Sequence, residues 1–266
     1  AAMSDDYEEN YKPRLGIIGG AGPDAGVDFL QRVLRKNREA LAERYQSDRD
    51  APDAVLFQVS DIGGPRGEGD LFDEEGAPYQ KVWGGLQTTI REILRLKLNR
   101  FCIVCNTLHV LEPRVLECID AEAEEMQIDS KPKFVSIVSC TLSEIYRLER
   151  KRKSPGEGVE RMRVAVLGSM NVTDPANSPY RDVANVVLAD PQRRTLQELL
   201  SKVKVSVPPD HDDNVSALQS LIDGIKADVY VLACTELPLL LSRLTIVPSK
   251  VVLDPSDLLA AELLNG

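Results

Sequence analysis

The sequence predicts an α/β protein built as two pseudo-symmetric halves, each a parallel β sheet with flanking helices, facing each other across an active-site cleft. Three observations predict it. Short apolar runs of strand length alternate with longer segments of helical periodicity, the pattern of parallel sheets covered by helices. Two of these runs end in glycine turns, Ile17-Ile18 before Gly19-Gly20-Ala21-Gly22 and Val166-Leu167 before Gly168. The same order of elements then occurs twice: Arg163-Val164-Ala165-Val166-Leu167-Gly168-Ser169 echoes residues 14–20, residues 229–236 echo 101–107, and residues 251–254 echo 134–138.

In chain order, residues 1–13 carry Asp5, Asp6, Glu8 and Glu9 without apolar periodicity and read as a flexible tail. Leu15 to Ile18 is a buried strand. Pro23 suits the first position of a helix, whose apolar face is expected at Val27, Leu30, Val33 and Leu34. Residues 54–59 form a second strand, and the stretch 61–70 is so rich in glycine and charge that it is expected to be a mobile loop and a candidate lid. Residues 82–98 repeat apolar positions at helical spacing (Leu86, Ile90, Ile93, Leu94, Leu98). Phe101 to Val104 is a strand ending at Cys105-Asn106-Thr107, followed by a helix with Val110, Leu111, Val115 and Leu116 on one face. Residues 134–138 are a strand that Cys140 is expected to terminate, and the basic stretch 147–163 is expected to be a loop near the midpoint. The expected division is an N-terminal half at 14–139, a C-terminal half at 140–254, and a helix at 255–266 that returns to the first half.

The chain has 266 residues, enough to bury a large core without disulfides or a metal. Its net charge of −10 argues against nucleic acid or an anionic membrane as the principal partner. No apolar run approaches transmembrane length, and the polar, acidic start is unlike a signal peptide. Ala1 and Ala2 are read as remnants of expression before a natural start at Met3. Five cysteines, an odd number, are expected to be reduced thiols in a cytoplasmic protein. Cys102 and Cys105 share the C-x-x-C spacing, but no second such pair exists and His109 and His211 are the only histidines, so no metal site is expected. His211 lies in an acidic Pro-Pro-Asp-His-Asp-Asp turn read as solvated.

The chemistry points to Cys105 and Cys234. Each ends an apolar strand, precedes an amide or hydroxyl residue, and stands just before a predicted helix, whose start is expected to lower the thiol pKa. Two such thiols at equivalent places in facing halves suit proton removal from one face of a carbon and delivery to the other. Cys102, Cys118 and Cys140 are read as small core residues. His109, one turn after Cys105, and Glu236, two residues after Cys234, are read either as orienting a thiol or its substrate or as satisfied polar residues near a helix start. Gly20-Ala21-Gly22-Pro23-Asp24-Ala25 matches a dinucleotide-binding fingerprint, yet the acid after the next strand, Asp61, comes about 40 residues on rather than about 20. The turn is therefore read as a tight strand–helix junction that offers amides to a carboxylate.

Gly16 to Pro23, Cys105-Asn106-Thr107-Leu108-His109 and Cys234-Thr235-Glu236 together resemble the aspartate/glutamate racemase family, most closely its aspartate racemase branch. The resemblance covers nearly the whole chain from Leu15. It implies a racemase that interconverts L- and D-aspartate without a cofactor, one cysteine removing the α-proton as thiolate and the other reprotonating the opposite face as thiol. By analogy Cys234 serves the L-enantiomer and Cys105 the D-enantiomer. It further implies substrate contacts from Asn106, Thr107, Ser169 and Thr235, a distal-carboxylate arginine at Arg66, a lysine at Lys204 with Lys202 as the alternative register, and a homodimer. Ala21 stands where the family commonly has methionine and Ala233 where it has glycine, and the loop 170–180 is longer than usual; these departures bear on aspartate over glutamate. Alternatives are a glutamate or other amino-acid racemase, a related isomerase or decarboxylase on the same cysteine scaffold, and a non-catalytic amino-acid-binding protein.

Overall fold

A computed structural model describes residues 12–63, 71–152 and 161–265. Among them the strands form two wholly parallel sheets. The first has the order β2-β1-β3-β4, from β1 (Arg14–Gly19), β2 (Asp53–Gln58), β3 (Arg100–Ile103) and β4 (Lys133–Val135). The second has the order β5-β6-β7, from β5 (Val164–Gly168), β6 (Val229–Ala233) and β7 (Val251–Leu253). The helices are α1 (Pro23–Leu41), α2 (Ala77–Arg95), α3 (Glu112–Glu125), α4 (Ile137–Arg152), α5 (Asp190–Val203), α6 (Asp212–Gly224) and α7 (Pro255–Leu264).

The internal echo corresponds to β1 with β5, β3 with β6, and β4 with β7, and its limits are physical. Among the described residues β2 has no counterpart strand. Instead Val186 makes a single parallel bridge to Ala165 on the side of β5 away from β6, covering the edge that β2 covers on β1. The expected strand 134–138 stops at Val135, because Ile137 already begins α4; Cys140 therefore lies in that helix and ends no strand. The helix continues to Arg152, so the basic stretch is helical up to there, and 153–160 lie outside the described residues.

The buried stripe of α1 is Ala25, Gly26, Phe29 and Val33, while Val27, expected on that face, is half exposed. The spacing of four through Phe29 selects this stripe over the one through Val27. α2 starts five residues before the expected position and buries Val82, Leu86, Ile90, Ile93 and Leu94 as read. It ends at Arg95, with Lys97 turning the chain at φ 51°. In α3 Val115 is buried as expected and Leu116 is exposed.

Strand alternation sorts side chains between three cores. Leu15, Ile17, Cys102 and Val104 join Val164, Val166, Val229 and Val231 in one cluster shared by both halves. Ile18, Phe101 and Ile103 face α2 and α3, whereas Tyr230 and Leu232 face α5 and α6. Cys105 and Cys234 fall on these outer parities of β3 and β6, so the period of two treats the two thiols alike. α7 packs chiefly against α1 and α4. It is tied to α1 by Arg32, which pairs with Asp254 just before α7 and also with Asp28 at 2.5 Å.

Candidate functional site

The glycine turn after β1 forms one wall. Gly20 and Gly22 have φ of 116° and 100°, in the region open to glycine. A Cβ on Gly20 would lie 2.1 Å from the Val59 carbonyl oxygen, and one on Gly22 would lie 2.6 Å from Glu236 Oε1. The turn thus meets the second cysteine loop at van der Waals distance. A small pocket opens there between Gly22 and Pro23 at the start of α1 and Lys204, Thr235, Glu236 and Leu239 from the other half.

Cys105 follows β3 by two residues and is half-buried, while Cys234 directly follows β6 and is 8% exposed. A 3₁₀ turn, Thr107–Leu111 or Leu237–Arg243, comes next in each case rather than the expected α-helix. The lowered thiol pKa expected from that helix is not found. Burial pushes Cys105 up, against backbone N–H groups of Leu108 and Thr107 and the Lys204 ammonium, which act to lower it. Burial likewise raises Cys234 well above the usual thiol range, with the Glu236 carboxylate adding to the rise and Lys204 opposing it. Each half-site feels the other half's charges, since Glu236 and Lys204 act on both thiols and Cys105 acts on Cys234.

Glu236 organises the second loop. Its Oε2 accepts from Cys234 Sγ at 2.9 Å and from Thr235 Oγ1 at 3.3 Å. Its Oε1 is buried without a hydrogen bond among the described residues and stands 3.7 Å from Lys204 Nζ. Across the interface Thr107 Oγ1 and Ser169 Oγ are hydrogen-bonded at 2.9 Å. Asn106 is buried, and its Oδ1 accepts from the hydroxyl of Tyr180, 74 residues away. That bond sets the amide orientation and leaves Nδ2 buried with no hydrogen-bond partner among the described residues. His109 turns from the pocket, its Nδ1 2.8 Å from the Cys105 carbonyl oxygen and its Nε2 3.3 Å from the Ile137 N–H.

The structure therefore gathers Cys105, Asn106, Thr107, Ser169, Lys204, Cys234, Thr235 and Glu236 around the contact between the halves. Lys202 is exposed in the last turn of α5, and Lys204 is the one that meets Glu236. Arg66 lies outside the described residues. Asp61, weighed as a ribose-binding acid, sits in a 3₁₀ turn after β2 and pairs with Lys81 at 3.1 Å. His211 is exposed and caps α6 by accepting from the Asp213 N–H. Sequence reasoning missed Tyr180, whose only local signal is a tyrosine within a polar Asn-Ser-Pro-Tyr turn. Among the described residues no group of three histidine, cysteine or acidic side chains forms a metal cluster, and no helix is long and apolar enough to cross a membrane.

No protein-family model and no curated sequence matches the chain. Solved structures do. A Yersinia pestis protein assigned to the Asp/Glu racemases matches with a TM-score of 0.63 at 13% identity, over 95% of this chain and 98% of that one. An aspartate racemase homologue from Pyrococcus horikoshii matches with a TM-score of 0.61 at 18% identity, over 94% and 97%. Glutamate racemase from Campylobacter jejuni matches with a TM-score of 0.56 at 12% identity, over 94% and 84%. The fold resemblance to the Asp/Glu racemases expected from the motifs is thus present along nearly the whole chain.

Proposed function

We propose that the chain is a cofactor-independent racemase of an acidic amino acid, with aspartate the favoured substrate, acting through Cys105 and Cys234. The observation that carries this reading is the pair of thiols at equivalent strand ends of facing halves, each in the electrostatic field of the other half-site. In one direction the Cys234 thiolate takes the α-proton: the S–H bond forms, the Cα–H bond breaks, and the electron pair moves into the α-carboxylate. The Cys105 thiol then gives its proton to the opposite face of the carbon and becomes the thiolate that starts the reverse direction.

Without an electron sink, hydrogen-bond donors must meet the charge that grows on the α-carboxylate. Asn106 Nδ2, buried, without a hydrogen-bond partner among the described residues and held by Tyr180, is such a donor, with the hydroxyl of Thr107 two residues from Cys105. A donor of this kind contributes roughly 3–4 kcal/mol to the transition state. The Lys204–Glu236 pair offers one charge of each sign to a zwitterion, which supports an amino acid over a simple acid. Arg66 remains the proposed partner of a distal carboxylate, and a homodimer in the cytoplasm is proposed on the racemase resemblance.

The test is proton NMR of L-aspartate and, separately, D-aspartate with the protein in D₂O without added cofactor. Loss of the α-proton signal from both, with interconversion by chiral analysis, is the expected result. Exchange from neither acidic amino acid would overturn the proposal.

A further inference from the structure

His109 is buried at 4% exposure, and both ring nitrogens have partners of fixed polarity. A backbone carbonyl only accepts, so the nitrogen 2.8 Å from the Cys105 oxygen must donate; a backbone N–H only donates, so the nitrogen 3.3 Å from Ile137 must accept. One form of the ring satisfies both, the neutral imidazole with its proton on Nδ1. The ring stacks on Phe134, centroids 5.7 Å apart and planes inclined at 25°. Ile137 is the first residue of α4, so its N–H is one of the donors a helix start leaves without an intrahelical partner. The Cys105 carbonyl, in turn, belongs to the peptide from which the 3₁₀ turn departs. Because that peptide is planar and trans, fixing its oxygen on the His109 side sends the next N–H the opposite way and sets the course of the turn. The turn then brings the Thr107 and Leu108 amides to the Cys105 sulfur.

We infer that His109 is the positioning residue for Cys105: its Nδ1–H holds the cysteine carbonyl so that the following amides face the thiol, while its Nε2 fastens this turn to the start of α4. The inference concerns the environment of one thiol and stands whether or not the chain racemises aspartate. The other charges facing Cys105 are Glu236 and Lys204, both from the opposite half, and His109 contacts neither through its ring nitrogens.

The two roles are separable by substitution. Asparagine carries an amide nitrogen near the place of Nδ1 and retains the donor to Cys105, whereas glutamine reaches the place of Nε2 and retains the acceptor for Ile137. The measurement is the pH dependence of iodoacetamide alkylation, followed residue by residue by peptide mass spectrometry in wild type, His109→Asn and His109→Gln. In His109→Gln, Cys105 alkylation at pH 8 is expected to slow about tenfold, equivalent to a rise of roughly one pH unit in its midpoint. Cys234 should keep its profile, and His109→Asn should keep both. An unchanged Cys105 in His109→Gln, equal shifts in the two variants, or shifts of both cysteines together would overturn the inference. A second measurement needs no substitution: long-range ¹H–¹⁵N correlation of the wild-type ring must show the Nδ1–H tautomer, and the Nε2–H tautomer would refute the assignment.

Discussion

Acidification should destabilise this protein through His109 before the ordinary carboxylates titrate. Burial holds the His109 imidazole neutral down to about pH 4, against an ordinary value of 6.5. As the pH falls through 6.5 the unfolded chain takes up a proton that the folded chain refuses until about pH 4. Protons therefore favour the unfolded state throughout that window, and the contribution is complete above pH 6.5. At about 1.36 kcal/mol per pH unit, a gap of about 2.5 units amounts to about 3 kcal/mol lost between pH 6.5 and 4. That is a large share of the roughly 5–15 kcal/mol by which domains are stable. Glu112 and Asp254, whose pKa values burial raises, act in the opposite sense near the carboxylate range. The effect must therefore be read as a difference between proteins. Urea denaturation of wild type and His109→Asn at pH 7, 5.5 and 4.5 provides it: the wild type should lose stability more steeply, and the two should converge toward pH 4. Curves that stay parallel across the window would refute the reasoning.

Other outcomes follow from the same geometry. Tyr180→Phe removes the donor to Asn106 Oδ1, which should lower kcat in the aspartate exchange assay by about tenfold with little change in KM; an unchanged kcat would mean that the amide needs no such hold. Glu236→Gln removes the carboxylate that raises the Cys234 pKa, so Cys234 should alkylate faster at pH 8 than in wild type, and slower alkylation would contradict the assigned contact. Arg32→Ala leaves Asp254 buried without its guanidinium and should cost about 3–5 kcal/mol by chemical denaturation. Gly22→Ala forces a side chain into a left-handed backbone and toward Glu236; a loss of roughly 1–2 kcal/mol is expected, and a melting temperature equal to wild type would argue against that turn geometry.

The alternation of strands and helices, the parallel sheets and the paired cysteines were legible because they are written in local terms. A strand such as Val229 to Ala233 is apolar on both faces wherever it lies, and a glycine turn at Gly20 and Gly22 announces itself by residue type. The repeated context of Cys105 and Cys234 carried their equivalence for the same reason: strand parity is a property of counting along the chain. Where structure departs from local pattern, packing decides between locally similar options: Ile137 begins a helix although its apolar run has the pattern of a strand, and the Phe29 stripe of α1 is buried in place of the Val27 one.

The partners of the reactive groups belonged to the tertiary structure alone. Tyr180 meets Asn106 across 74 residues, Thr107 meets Ser169 across 62, and Gly22 meets Glu236 only where one half closes on the other. The sign of the thiol pKa shifts belonged there too, since a strand end before a turn argues for a lowered value while burial argues for a raised one. Local sequence sets which atoms a residue brings and which face of its own element it occupies. Desolvation and hydrogen-bond partnership depend on what another element places a few ångströms away, and no periodicity along a single segment records that.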